Sequence, residues 1–122
     1  MPKTILIVED NPDMRSGLQL ALELENYDVH TVSDGAQALE FLGRSMPELI
    51  LLDLKMPHVD GLALLAEIKE NESWRDIPVI VLTAAVDSAT KAKAKEQNIQ
   101  AYLTKPFDLE NLLNTIAQAL HD

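Results

Sequence analysis

Charged and hydroxyl-bearing residues stand directly behind short apolar runs along this chain. Glu9 and Asp10 follow the run at 5–8, Asp53 follows the run at 49–52, and Thr83 follows the run at 79–82. Lys105 comes just after a weaker run at 101–103, and Ser33-Asp34, which look like a helix cap, follow the run at 29–32. If the runs are strands of one parallel sheet, three carboxylates, a hydroxyl and an ammonium share the edge where open α/β sheets bind ligands. If the first and third strands are neighbours, Glu9, Asp10 and Asp53 converge. Three close carboxylates repel one another and should raise at least one pKa. A hard divalent cation relieves that repulsion, and Mg2+ suits carboxylate oxygens, waters and a phosphate oxygen. Lys105 can serve as a point-charge phosphate binder, and Thr83 can donate a hydrogen bond to a phosphoryl oxygen. A nucleophile, a metal and a cation are what phosphoryl transfer to a carboxylate requires.

Regular elements must hold these residues in place. The runs at 5–8, 49–52 and 79–82 are continuous and rich in β-branched residues or leucine, which suits strands buried on both faces. Helical stripes lie between the runs. Met14, Leu18, Ala21 and Leu22 form the first, with Pro12 in its first turn and Asn26 as a stop. Ala36, Leu39, Phe41 and Leu42 form the second, ended by Gly43, and Leu62, Leu65 and Ile68 the third, after Asp60-Gly61. An alanine- and lysine-rich segment over 87–96 reads as a more polar fourth helix. Leu109, Leu112, Leu113, Ile116 and Leu120 mark the fifth, with Asp108 as its N-cap or early-turn acid. Strand and helix thus alternate five times, which predicts an α/β fold: a five-stranded parallel sheet with helices on both faces. No linker, internal repeat or low-complexity stretch interrupts the pattern, so one domain over 1–122 is expected.

Composition excludes several classes. Acidic residues number 20 against 10 basic, a formal charge of −10. That argues against direct nucleic acid binding, which wants a basic face. With no cysteine, disulfides, zinc–thiolate sites and cysteine nucleophiles are ruled out. The first apolar run is too short for a signal peptide or a membrane span, so a soluble, cytoplasmic protein is expected. His30, His58 and His121 share no ligand spacing and read as structural or surface residues. Trp74, in a polar stretch, is expected to cover a sheet edge or a helix end.

Four motifs, each at a strand end and all in order, carry a family resemblance. They are Ile-Leu-Ile-Val-Glu9-Asp10-Asn11, Leu-Leu-Asp53-Leu-Lys-Met-Pro57 with Asp60-Gly61, Ile-Val-Leu-Thr83-Ala84, and Tyr102-Leu-Thr-Lys105-Pro106-Phe107. Over 3–120 the chain resembles the CheY-like receiver domain of two-component response regulators. The resemblance implies a flavodoxin-like sheet of order 2-1-3-4-5, which makes the first and third strands adjacent. It implies that Asp53 accepts a phosphoryl group from a phosphohistidine on a histidine kinase or histidine phosphotransfer protein. Asp10, Asp53 and the backbone carbonyl of Lys55 would ligate Mg2+ directly, and Glu9 would act through a water. Lys105 would pair with the carboxylate or phosphoryl group, Thr83 would move to the phosphoryl oxygen, and Tyr102 would turn into the space vacated. A cis Lys105–Pro106 peptide is also implied. Lys55 and Ala85 would flank the site and tune the life of the phosphoryl group. The loop before the fifth strand lacks the family's usual glycine and carries Gln97-Asn98-Ile99, where Asn tolerates the left-handed conformation.

The expected function is that of a stand-alone receiver that switches contacts with a downstream protein partner. It would assist only its own phosphorylation and dephosphorylation and would not otherwise be an enzyme. It would be a monomer or a phosphorylation-dependent homodimer. Lys91, Lys93 and Lys95 crowd the fourth helix; a solvated face is the plain reading, and an acidic partner facing Lys91 and Lys95 the sharper one. Three alternatives stand beside this. A degenerate receiver would bind partners without being phosphorylated, but the intact Asp10, Asp53, Thr83 and Lys105 set speaks against it. The chain could be the receiver portion of a longer regulator with a separate output domain. It could also be a small Asp-based phosphatase of the haloacid-dehalogenase type, although Lys55 stands where that chemistry places a second Asp.

Overall fold

The structure is a computed structural model that describes residues 2–56, 59–84 and 87–120. Among the described residues, seven strands and five helices follow in this order: β1 (Thr4–Val8), α1 (Pro12–Leu24), β2 (Asp28–Val32), α2 (Gly35–Arg44), β3 (Leu49–Leu52), β4 (Lys55–Met56), β5 (Val59–Asp60), α3 (Gly61–Glu70), β6 (Val79–Thr83), α4 (Ser88–Lys95), β7 (Ala101–Thr104) and α5 (Leu109–Leu120). Five strands make one sheet of order β2-β1-β3-β6-β7, every pairing parallel. Setting aside the two-residue strands β4 and β5, this is the expected 2-1-3-4-5 order.

The strands are buried on both faces because side chains alternate between two cores. Leu6, Val8, Ile50, Leu52, Val79 and Val81 point to one side, where Ala38 and Phe41 of α2, Leu64, Leu65 and Ile68 of α3, and Ala94 of α4 cover them. Ile5, Ile7, Leu49, Leu51, Ile80 and Leu82 point to the other, against Leu18 and Leu22 of α1 and Leu112 and Ile116 of α5. No residue of β3 is more than 1% exposed, as its position in the middle of the sheet demands.

Side-chain caps start the helices at the edge where the strands end. Asn11 accepts from the Met14 N–H at 3.0 Å, with Pro12 at the first helical position. Asp34 caps α2 through the Gln37 N–H at 2.8 Å, Asp60 caps α3 through the Leu62 N–H at 3.0 Å, and Asp87 caps α4 through the Thr90 N–H at 2.9 Å. Asp108 accepts from the Glu110 N–H at 3.1 Å at the entry to α5. Part of the acid excess is thus spent on helix N-termini, where the macrodipole favours it. Asn26 and Asn98 adopt φ of 70° and 60°, the left-handed turns that glycine more often makes. The Lys105–Pro106 peptide is cis.

Two local expectations are corrected. Gly43 does not end α2: the helix runs to Arg44 and Ser45 caps it, its N–H donating to the Phe41 carbonyl at 2.8 Å. The fourth helix is shorter than 87–96, because Asp87 and Glu96 serve as its caps. The antiparallel pair β4–β5 was not foreseen; two residues a side leave no periodicity to read. Trp74 lies beyond the end of α3, partly buried against the α2–α3 core.

Gly61 opens α3 against the backbone of Leu54, and a Cβ there would collide with the Leu54 Cα and carbonyl. Gly43, inside α2, meets nothing within 4 Å. Gly61→Ala is therefore expected to destabilise the domain by about 1–3 kcal/mol, while Gly43→Ala stabilises it by about 0.5–1 kcal/mol. Urea unfolding of the two variants checks the opposite signs.

Candidate functional site

Register builds the site. Val8 of β1 lies opposite Leu52 of β3, so the next residues, Glu9 and Asp53, leave the sheet side by side. Their backbones stay tied to the sheet edge: Glu9 N–H donates to the Val32 carbonyl and Asp53 N–H to the Val8 carbonyl, both at 3.1 Å. Asp10 follows at once, and carboxylate oxygens of Glu9, Asp10 and Asp53 lie within 4.8 Å of one another. Glu9 and Asp53 are buried and Asp10 is half-buried.

Lys105 reaches this cluster from beyond β7. Its Nζ lies 2.7 Å from Glu9 Oε1 and 3.2 Å from Asp53 Oδ2. Its own N–H donates to the Thr83 carbonyl at 2.9 Å, which joins the lysine to the end of β6. The second carboxylate oxygens of Glu9 and Asp53 also have donors. Glu9 Oε2 accepts from the Asn11 N–H at 3.2 Å and Asp53 Oδ1 from the Lys55 N–H at 3.0 Å.

The electrostatics remain unbalanced, with three carboxylates facing one ammonium. Burial pushes the Glu9 carboxyl above its ordinary value of 4.5, and the Asp53 charge adds to this, against the opposing pull of Lys105 and the Asn11 N–H. A raised carboxyl was expected from repulsion; burial is the larger cause. For Lys105, burial favours the neutral amine, but the contacts with Glu9 and Asp53 outweigh it and hold its pKa raised. The pocket therefore has the chemistry of a hard-cation site: clustered oxygen donors with surplus negative charge.

Thr83 is fully buried at the end of β6. Tyr102 is half-buried on β7, opposite Val81 in the ladder. Lys91 and Lys95 are exposed on α4; Lys91 Nζ stands 5.7 Å from the Tyr102 ring centroid. Lys55 supplies a backbone N–H to Asp53 while its side chain is exposed. His30 is exposed on β2 against Asp28 and Phe41, away from the pocket. His58, His121, Pro57 and Ala85 lie outside the described residues.

Two features escaped sequence reasoning. Lys105 bonds Glu9 more closely than Asp53, so Glu9 is the lysine's anchor as well as a metal-shell candidate. Arg15 was also missed: its guanidinium donates to the carbonyls of Glu9 at 2.9 Å and Asp10 at 3.3 Å, pinning the turn that presents both acids. A signal existed, since a cation in the first turn of a helix opposes the macrodipole and needs a reason to be there.

Comparison with known proteins agrees with this geometry. The family model described as the response regulator receiver domain matches residues 5–117. The chain belongs to that family. Response regulator ArlR of Staphylococcus saprophyticus is 39% identical over 116 residues, covering 95% of this receiver domain and 51% of the relative. The polar-differentiation response regulator DivK of Brucella anthropi is 31% identical, covering 100% of this chain and 99% of the relative. The receiver domain of the Pseudomonas aeruginosa sensor histidine kinase PA1611 superposes with a TM-score of 0.89 at 30% identity, 100% of each chain covered; it was solved with a magnesium ion coordinated in its active-site cleft. The chain spans about half the length, or less, of several curated relatives it matches. Among the described residues no helix is long and apolar enough to cross a membrane.

The half-buried Lys105 ammonium should dominate the stability of the pocket. Lys105→Met is expected to cost about 3 kcal/mol near pH 7 by leaving buried carboxylates uncompensated. Because the folded Glu9 carboxyl holds its proton above the ordinary 4.5, protonation neutralises it in the folded state first. The variant should therefore regain stability as pH falls towards the ordinary 4.5, and lose it again as pH rises. Urea melts of both proteins across that range check the sign.

Proposed function

We propose that this receiver domain accepts a phosphoryl group on Asp53 from a phosphohistidine on a histidine kinase or histidine phosphotransfer protein, and that the phosphoaspartate switches contacts with a downstream protein. The observation that carries this reading is the meeting of Glu9, Asp10 and Asp53 around the Lys105 ammonium. An Asp53 carboxylate oxygen attacks phosphorus, the P–N bond to the donor imidazole breaks, and the imidazole leaves with the electron pair. Lys105, already 3.2 Å from Asp53, balances the charge that gathers on the phosphoryl oxygens. Thr83 bonds one of those oxygens, and Tyr102 turns towards the space that Thr83 leaves.

Mg2+ fits the carboxylate pocket and would be held by Asp10, Asp53 and the Lys55 backbone carbonyl. When bound, it neutralises oxygen charge on the phosphoryl group. Glu9, held closer by the Lys105 ammonium than Asp53 is, would take an outer role through a water. A cytoplasmic location goes with this reading. Action as a single-domain regulator is supported by the likeness to DivK along its length. The second reading, the receiver portion of a longer regulator, is supported by ArlR, of which the chain spans 51%. In either setting the domain is a phosphoacceptor switch and catalyses no conversion beyond its own phosphorylation and dephosphorylation.

Acetyl phosphate with Mg2+, followed by intact mass, should add one phosphoryl group, and Asp53→Ala should add none. Phosphorylation that persists in Asp53→Ala would refute the assignment. Asp10→Asn should weaken Mg2+ binding, so that added Mg2+ raises the melting temperature less than in the parent. The same change removes a repelling charge and should stabilise the metal-free domain by about 1 kcal/mol. Thermal melts with EDTA and with Mg2+ read both effects.

A further inference from the structure

Tyr102 stands on β7, three residues before the Lys105 that enters the carboxylate pocket. Burial raises its phenol pKa, and the charges of Asp87 and Asp53 add to the effect. On the α4 side, the Lys91 ammonium stands 5.7 Å from the ring centroid. A cation within about 6 Å of an aromatic face is attracted by the ring quadrupole. Among the described residues no ion pair involves Lys91. Lys95, one turn further along α4, makes no such contact with the ring.

We propose that Lys91 is a charge latch on Tyr102: its ammonium favours the ring position seen here and sets how readily the ring leaves it when Asp53 is phosphorylated. Lys91 acts through Tyr102 and does not touch the phosphoryl group, so it is a positioning residue. The proposal rests on the reading of Tyr102 as the ring that turns. A staggered-rotamer jump of about 120° carries the ring beyond the roughly 6 Å over which the contact acts. The turned state therefore lacks the attraction, and the difference biases the two-state equilibrium towards the resting position. At an exposed site this attraction corresponds to about a two- to fivefold change in the ratio of the two ring positions. By linkage, phosphoryl mimics bind more weakly by the same factor while the latch is closed.

The test follows Tyr102 by NMR of ring-13C tyrosine in a Tyr27→Phe background, which leaves one tyrosine. Spectra are taken with and without beryllofluoride plus Mg2+, and the affinity for beryllofluoride is measured in parallel. The mimic should move the Tyr102 resonance. Lys91→Met keeps the aliphatic stem and removes the charge. It should shift the resting resonance towards the mimic-bound position and tighten beryllofluoride binding about two- to fivefold. Lys91→Arg, which keeps a cation, and Lys95→Met should both match the parent. If the mimic leaves Tyr102 unmoved in the parent, the ring is not a switch and the latch falls with it. If the mimic moves the ring but Lys91→Met changes neither readout, or Lys91→Arg changes them equally, the latch alone is overturned.

Discussion

Two carboxylates buried side by side, with a third at their edge, cost free energy wherever they occur, and this domain is arranged around containing that cost. The β1–β3 register brings Glu9 and Asp53 together. The Lys105 ammonium, delivered from the far side of β6, lies against both. Each supporting feature nearby serves the same containment. Asn11 and Lys55 offer backbone N–H groups to the acids, and Arg15 ties down the turn that carries Glu9 and Asp10. A surplus of negative charge remains, and that surplus suits the pocket to a divalent cation.

The sheet makes the arrangement possible. Ligands of open α/β sheets gather at the carboxyl ends of the strands because successive crossovers leave a crevice there. Four of the five helices begin at that edge with an Asn or Asp cap. The acids of this edge thus divide by position: some satisfy backbone N–H groups locally, and three are left to face one another.

Most of the architecture was legible in the residues. Apolar runs such as 49–52 and 79–82 are unambiguous because strands buried on both faces must be apolar throughout. Asn98 could be recognised as a substitute for the missing loop glycine because its side chain tolerates positive φ. What escaped was set by tertiary geometry. Gly43 looks like a stop, but α2 continues past it because Ser45 takes the capping role. The pairing of β4 with β5 rests on two residues a side, too few to show a period. The Glu9–Lys105 pair joins residues 96 apart in sequence, and the spacing of charges along a chain cannot say which of two neighbouring acids a lysine prefers.

The close contact between Gly61 and Leu54 has a mechanical meaning. Leu54 follows Asp53 directly, and its backbone is wedged against the start of α3 with no room for one methyl group. Leu54 and Met56 are buried in the same core, so the segment after Asp53 rests on a close-packed and poorly compressible support. On the opposite flank, Thr83, Tyr102 and Lys105 belong to the outer half of the sheet, where β7 is an edge strand and Tyr102 is only half-buried. The domain is close-packed on one side of Asp53 and less enclosed on the other, at the edge strand β7. Room for a side chain to shift near Asp53 therefore lies towards β7 and the flank of α4.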